Sequence, residues 1–338
     1  MLNLVRYLYF LKSIWAILAA LALGSILIML TGANPLTAYG ALFHGAFLEY
    51  HGLATTVVKM CPLLLASLAF IVPLRAGLFN IGGEGQIYIG ALFSTVVALY
   101  LPQMPGFIHI VVCCLAGALG GMVWGLIPAL LKVYGRANEL IITLLLNYVA
   151  INLVSYFVSG PMMEEGAPFP YSKEIPESLF LPYILPGTDA HLGTVIALGL
   201  AVLLYFVFER TTTGLSMLTM GRNPRACQYA GLSLKRLTIF SFCVGGGLAG
   251  LAGTLEVLGL KYRLFHMFSP GYGFDGIVVA FLAGVKPLFV IISSVFLAGL
   301  PWLNLVHLFR IPDSKFCIHQ ESKSCSSYTS RCRGSRGP

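Results

Sequence analysis

The chain has 338 residues, of which 57% are hydrophobic and only 10% charged, with a formal net charge of +8. Its mean hydropathy is +0.85. A water-soluble domain of this length needs far more charge to cover its surface, so the composition excludes one and points to a chain that crosses a membrane several times. The basic balance is no sign of a nucleic-acid partner, because membrane proteins gather Lys and Arg on their cytoplasmic loops.

A helix needs about 20 apolar residues to cross a hydrocarbon core about 30 Å thick. Runs of that order fall at residues 14–30, 53–72, 85–101, 107–131, 140–158, 192–208 and 237–258, followed by a broken stretch at 276–284 and 287–300. The first run follows Arg6 and Lys12 as a signal peptide would. Its length and the spans behind it favour an uncleaved first helix or signal anchor. The pattern predicts an all-α, polytopic bundle of about eight transmembrane helices over residues 1–300, then a polar tail at 301–338. With the N-terminus in the cytoplasm, the inner segments hold ten basic residues (Arg6, Lys12, Arg75, Lys132, Arg136, Arg210, Arg222, Arg225, Lys235, Arg236) and the outer ones three (Lys173, Lys261, Arg263). That split obeys the positive-inside rule and fixes the expected orientation.

Between the second and third runs, the segment Arg75-Ala76-Gly77-Leu78-Phe79-Asn80-Ile81-Gly82-Gly83-Glu84-Gly85-Gln86 interrupts the apolar pattern. Irregular backbone at this depth is tolerated only when buried in protein or facing a water-filled cavity. Glu84 stands near the start of the third span, where the helix dipole favours a carboxylate. Spacing alone leaves the segment open between a functional break and an ordinary tight turn. In the fourth span Gly117, Gly121 and Gly125 recur at every fourth position, as do Gly246 with Gly250 and Ala249 with Gly253 in the seventh. Such stripes let helices approach closely. The loop at 159–190 carries Glu164, Glu165, Glu174, Glu177 and Asp189 with six prolines. It reads as a solvated connector, or as a contact surface for a secreted or lipid-anchored partner.

The loop at 209–236 holds Asn223-Pro224-Arg225-Ala226-Cys227-Gln228-Tyr229-Ala230-Gly231. Asn can cap a helix, Pro suits its first position and Gly its C′ position, so a short, closed helix is predicted. It suits either docking on a soluble partner or lying on anionic headgroups. Ionisable residues inside the spans are Lys59, Glu256 and Asp275, each a candidate functional group. Glu256 falls about one turn from the end of its span, from which it would reach the interface. No His/Cys cluster, CxxC pair or disulfide framework stands out among the eight cysteines, so no metal or cofactor is expected. A phosphate loop, HExxH and G-x-S-x-G are all missing. The chain is not expected to be an enzyme, and any ATP chemistry belongs to a partner.

Together these features resemble the permease subunits of ATP-binding-cassette importers of the branched-chain-amino-acid and simple-sugar class, above all the nucleoside type. The likeness rests on Asn34-Pro35-Leu36-Thr37-Ala38-Tyr39, the Ala76–Gln86 motif, Asn138-Glu139-Leu140-Ile141-Ile142-Thr143 with Asn147-Tyr148, the Thr212–Gly231 loop, and Gly271-Tyr272-Gly273-Phe274-Asp275-Gly276-Ile277. It covers roughly residues 1–300. The resemblance implies a multi-pass protein of a prokaryotic plasma membrane that moves nucleosides inward. Its partners would be ATPase subunits, a second permease subunit of different sequence, an extracytoplasmic substrate-binding lipoprotein and the surrounding lipids. It places Asn80, Glu84, Gln86, Tyr272, Phe274 and Asp275 near the substrate pathway. Coupling to the ATPase would fall on Gly221, Asn223, Pro224, Ala226, Ala230 and Gly231. A ribose-like sugar permease, a secondary carrier or channel, and a non-functional truncated product are the competing expectations. The last arises because residues 301–338 carry six Lys/Arg and seven Ser where the family continues with apolar spans. Such an ending resembles a frameshifted or truncated reading frame.

Overall fold

The computed structural model describes residues 15, 18–30, 32, 34–102 and 104–300. The tail at 301–338, with its expected disorder or frameshift, lies outside the described residues, as does the start of the first apolar run. No strand forms among the described residues, only three isolated bridges. The helices are α1 (Leu18–Leu30), α2 (Pro35–Phe43), α3 (Tyr50–Arg75), α4 (Gly83–Tyr100), α5 (Gly106–Gly135) and α6 (Glu139–Ser159). They are followed by α7 (Gly193–Arg210), α8 (Thr212–Arg222), α9 (Pro224–Tyr229), α10 (Leu234–Glu256), α11 (Tyr272–Leu282) and α12 (Pro287–Gly299).

The all-α bundle matches expectation, with a refinement in the number of full spans. Among the described residues, five helices (α3, α5, α6, α7 and α10 with its extension to Lys261) are long and apolar enough to cross a membrane, or six if α1 and the stretch Pro35–Leu48, bent by 118°, count as one. The other expected spans differ for physical reasons. Helix α4 opens on Glu84 and Gln86, which dilute its apolar character, and both are buried. The last apolar stretch is two short helices broken between Leu282 and Pro287, where the sequence pattern places the break. Two helices, α2 and α8, have no counterpart among the predicted elements. Helix α8 forms inside the expected loop, with Thr211 Oγ1 accepting from the Gly214 N–H at 3.2 Å. Helix α2 opens with Asn34 accepting from the Leu36 N–H at 3.0 Å and Pro35 in the first turn.

The core is a three-way crossing of α4, α5 and α10, where backbone meets backbone. A Cβ on Gly90 would run into the Gly250 backbone, and one on Gly121 would lie 2.8 Å from Gly250 Cα. A Cβ on Gly125 would meet Phe242 O at 2.6 Å. The small-residue stripes therefore face each other, as their spacing implied. Around this crossing, α3 is buried almost continuously from Met60 to Pro73.

At one end of the bundle, Arg75 closes α3 against α7. It donates to Phe208 O at 3.0 Å and to Glu209 Oε1 at 3.1 Å, with its guanidinium 4.7 Å from the Phe208 ring centroid. Lys132 pairs with Glu139, and Lys235 sits over the Tyr134 ring. This is the basic end. At the opposite end the loop at 159–190 is no mere solvated connector. Met162, Ile175, Leu179 and Leu181 are buried, and the loop bonds along the chain beyond α10. The Ser172 N–H donates to Leu264 O at 2.8 Å, Ile175 to Tyr262 O at 3.0 Å and Leu181 to Leu258 O at 3.0 Å. Arg263 ties Glu174 (2.7 Å) and Glu164 (2.8 Å) together. Glu174 above all, with Glu164, holds the guanidinium above its ordinary range. His191 is wedged between Gly193 and Gly259, and its burial pushes the imidazole down to about 4, so it is neutral at pH 7.

Adding a methyl group at the crossing should overpack it. Gly121→Ala and Gly250→Ala are each expected to cost about 1–3 kcal/mol and lower the thermal unfolding midpoint of the detergent-purified protein. Gly199→Ala on α7, where nothing lies within 4 Å of a new Cβ, should leave it unchanged or slightly raised.

Candidate functional site

Beyond Lys261 the chain does not stay at its end of the bundle. After Arg263 it turns inward, burying Phe268 against Tyr88 with ring centroids 4.7 Å apart. It then turns at Gly271, whose φ of +107° is a backbone conformation open mainly to glycine. Helix α11 starts there, inside the protein, and Gly276 lies against Ala66 and Ser67, well within the 26 residues of α3. It is a half-helix with a buried N-terminus.

Such an end leaves backbone N–H groups without intrahelical acceptors, and in a hydrocarbon medium each must be satisfied within the protein. Two side chains do this. Ser269 Oγ accepts from the Gly271 and Tyr272 N–H groups, both at 3.3 Å. Glu84 Oε2 accepts from the Gly273 N–H at 2.6 Å. Glu84 is 2% exposed. Its carboxylate stands at the positive end of the α11 dipole, a favourable placement. Close approach is possible because both chains are glycine-lined, and a Cβ on Gly273 would collide with Glu84's own backbone.

The neighbouring polar groups form a closed set. Asn80 Nδ2 donates to Gln86 Oε1 at 3.1 Å, and Asn80 Oδ1 accepts from the Gly82 N–H at 3.0 Å. From α6, Asn147 accepts the Gly85 N–H at 2.8 Å and donates to Ile81 O at 2.9 Å, while Thr143 Oγ1 accepts from the Ile81 N–H at 3.3 Å. The irregular stretch between α3 and α4 is thereby held from within the subunit.

The predicted pathway residues thus divide into two groups. Asn80, Glu84, Gln86 and Tyr272 are buried, the first three in the hydrogen bonds just described. Phe274 and Asp275 point the other way, exposed on the free face of α11 with Val278 and Phe281. Glu256, expected to reach the interface, is instead 2% exposed, with neither carboxylate oxygen hydrogen-bonded.

The predicted coupling residues lie apart from these, at the basic end. Asn223 Oδ1 accepts from the Ala226 N–H at 3.1 Å and Pro224 occupies the first turn of α9. Gly231 has φ +77°, with its N–H on Gln228 O at 2.9 Å and the Leu232 N–H on Cys227 O at 3.1 Å. This is the complete Schellman closure of a helix. Only Cys227 of α9 is buried, whereas Ala226 and Ala230 are exposed and Tyr229 is 93% exposed. Gly221 lies against the turn after α3, where a Cβ would come 2.5 Å from Arg75 O and 2.9 Å from Gly77 N.

Residues 52–305 match the family described as branched-chain amino acid transport system, permease component. The chain belongs to that permease family. It is 36% identical over 294 residues (84% of this chain, 77% of the relative) to the glucose ABC transporter permease protein TsgB13 of Haloferax volcanii. It is 34% identical over 291 residues (84% and 82%) to the guanosine ABC transporter permease protein NupP of Bacillus subtilis. To the nucleoside ABC transporter permease protein NupB of Lactococcus lactis it is 30% identical over 289 residues (82% and 79%). No solved structure matches. The chain is thus a multi-pass membrane permease, a transport component rather than an enzyme. Its family works with ATPase and substrate-binding partners.

Within the permease, sequence reasoning singled out Glu84 but not its acceptor role toward α11, which spans 189 residues of separation. Ser269 carried no signal at all. If Glu84 caps α11, Glu84→Ala should leave the Gly273 N–H unpaired and cost about 1–3 kcal/mol of stability. Glu84→Gln, which keeps an acceptor, should cost less. Equal thermal midpoints for Glu84→Ala and the unsubstituted permease would remove Glu84 from this role.

Proposed function

We propose that this permease is the membrane-spanning subunit of an ATP-binding-cassette importer that moves nucleosides inward across a prokaryotic plasma membrane. The reading is carried by the bare face of α11. A half-helix locked on one side by Glu84 exposes Asp275 beside Phe274 at a depth where a carboxylate facing lipid is costly. That face meets water and a second permease subunit of different sequence, and the pathway runs between the two. Phe274 and Asp275 line it, while Asn80, Glu84, Gln86 and Tyr272 stand in the wall behind them.

The basic end is cytoplasmic, with the N-terminus on the same side, in line with the distribution of Lys and Arg. Helix α9 is self-capped and bare, so it presents Ala226, Ala230 and Tyr229 to a cleft on an ATPase subunit. Movement passes to α8, then through Gly221 to the Gly77 turn, three residues before Asn80. At the other end, the folded loop at 159–190 faces the substrate-binding lipoprotein. Nucleosides are favoured by the named substrates of NupP and NupB. A hexose is the second reading, favoured by the likeness to TsgB13.

The test is uptake by cells lacking their own nucleoside importers and supplied with the complete set of subunits. Radiolabelled guanosine should accumulate in an ATP-dependent way, and radiolabelled glucose should not. Accumulation of glucose alone would establish the sugar reading, and no uptake of either solute would sink both. In the same cells, Ala226→Glu and Ala230→Glu should abolish uptake and co-purification of the ATPase. Membrane insertion should stay normal, because both residues lie outside the bilayer. Full uptake with both substitutions would place ATPase coupling elsewhere.

A further inference from the structure

A cleft of about 470 Å³ opens at the end of the bundle opposite Arg75. It falls within the roughly 300–1,000 Å³ of small-molecule sites. One wall is α3, where His51, Thr55 and Lys59 stand four residues apart and so share a helix face. The other wall holds Tyr183, Asp189 and Lys261, and buried Tyr272 closes the cleft toward the start of α11.

Three observations mark this cleft as more than a crevice. Lys59 lies nine residues beyond Tyr50, about 14 Å along the helix at 1.5 Å per residue. An ammonium group that far along a spanning helix is costly unless it faces a water-filled cavity or a partner. Second, both side chains line the cleft, and among the described residues neither the Lys59 nor the Asp189 side chain makes an ion pair or hydrogen bond. Third, the charges of Lys59 and Lys261 are opposed by Asp189 in the same cleft. Glu256, buried with both oxygens unbonded, is within electrostatic reach of Lys261 and Tyr272. With Asp189 among the two ammonium groups, the cleft is not purely cationic and offers acceptors as well as donors. A carboxylate that accepts two O–H groups, ammonium groups that donate to hydroxyl oxygens, and tyrosine rings for an apolar face suit a neutral ring bearing adjacent hydroxyls.

We propose that this cleft is a solute-binding station at the mouth of the pathway, holding neutral molecules by adjacent hydroxyl groups through Lys59, Asp189 and Tyr272. The inference rests on the importer reading above. The shared chemistry is that of a nucleoside's ribose and of a free hexose.

The test uses the full chain in membranes with its partner subunits. Thr55→Cys and Thr188→Cys place two separate reporters in the cleft, read with a charged, membrane-impermeant maleimide against the background of the unsubstituted chain. Both should label. At ten times its dissociation constant, guanosine should slow labelling about tenfold, because only the unoccupied fraction reacts. 2′,3′-Dideoxyguanosine, which lacks the adjacent hydroxyls, should not protect. Protection by glucose as well assigns the site to the shared diol, and protection by guanosine alone assigns it to the nucleoside; either supports the station. Asp189→Asn, added to each reporter, should remove the protection. Failure of both reporters to label, equal protection by the dideoxy compound, or no protection by guanosine or glucose would overturn the proposal. Uptake by the unsubstituted transporter, measured in parallel, separates that failure from failure of the importer reading.

Discussion

Direct backbone contact among α4, α5 and α10 is the constraint from which the other features follow. Lipid gives helices no hydrophobic reason to associate, so they must gain from close van der Waals approach, and Gly90, Gly121 and Gly250 supply it. With the three axes so near one another, α4 has no room to shift, and its polar first turn is carried to one place only. That place is the start of α11. The crossing thus positions Glu84 without touching it, and the irregular segments on either side settle against α6 and α3.

Much of this architecture was legible in the sequence, because the signals were local. The spans followed from apolar runs, the crossing from glycines four apart, and α9 from Asn223, Pro224 and Gly231, each of which does what its chemistry dictates. The same logic would have found α2, since Asn34 and Pro35 repeat the Asn-Pro opening of α9. Helix α8 was hidden by a run of threonines that reads as loop until Thr211 is seen as its cap.

What the sequence concealed was non-local. The loop at 159–190 looked like a solvated connector because its composition is acidic and proline-rich. Its order comes from rungs such as Ser172 with Leu264, ninety-two residues apart. Glu84 offered a plausible local role at the start of its own helix, and the structure gives it to another one. Glu256 looked close enough to the interface to reach it, but it is buried near Cys61 of α3 and Tyr272 of α11. Lys59 was conspicuous in the sequence, whereas Asp189 of the same cleft was one acidic residue among several in a loop.

The capped start of α11 also bears on which molecules the permease can admit. An uncapped helix N-terminus buried at that depth would present partial positive charge and draw phosphates toward it. Glu84 occupies that position and cancels the field at its source. In the importer reading, a solute passing α11 meets an electrically quiet wall followed by the carboxylate of Asp275. A phosphorylated nucleoside finds no compensation there for its lost hydration and is repelled by Asp275, whereas an uncharged one loses little. Exclusion of nucleotides along this wall would then rest on two carboxylates, Glu84 at the helix start and Asp275 on its free face.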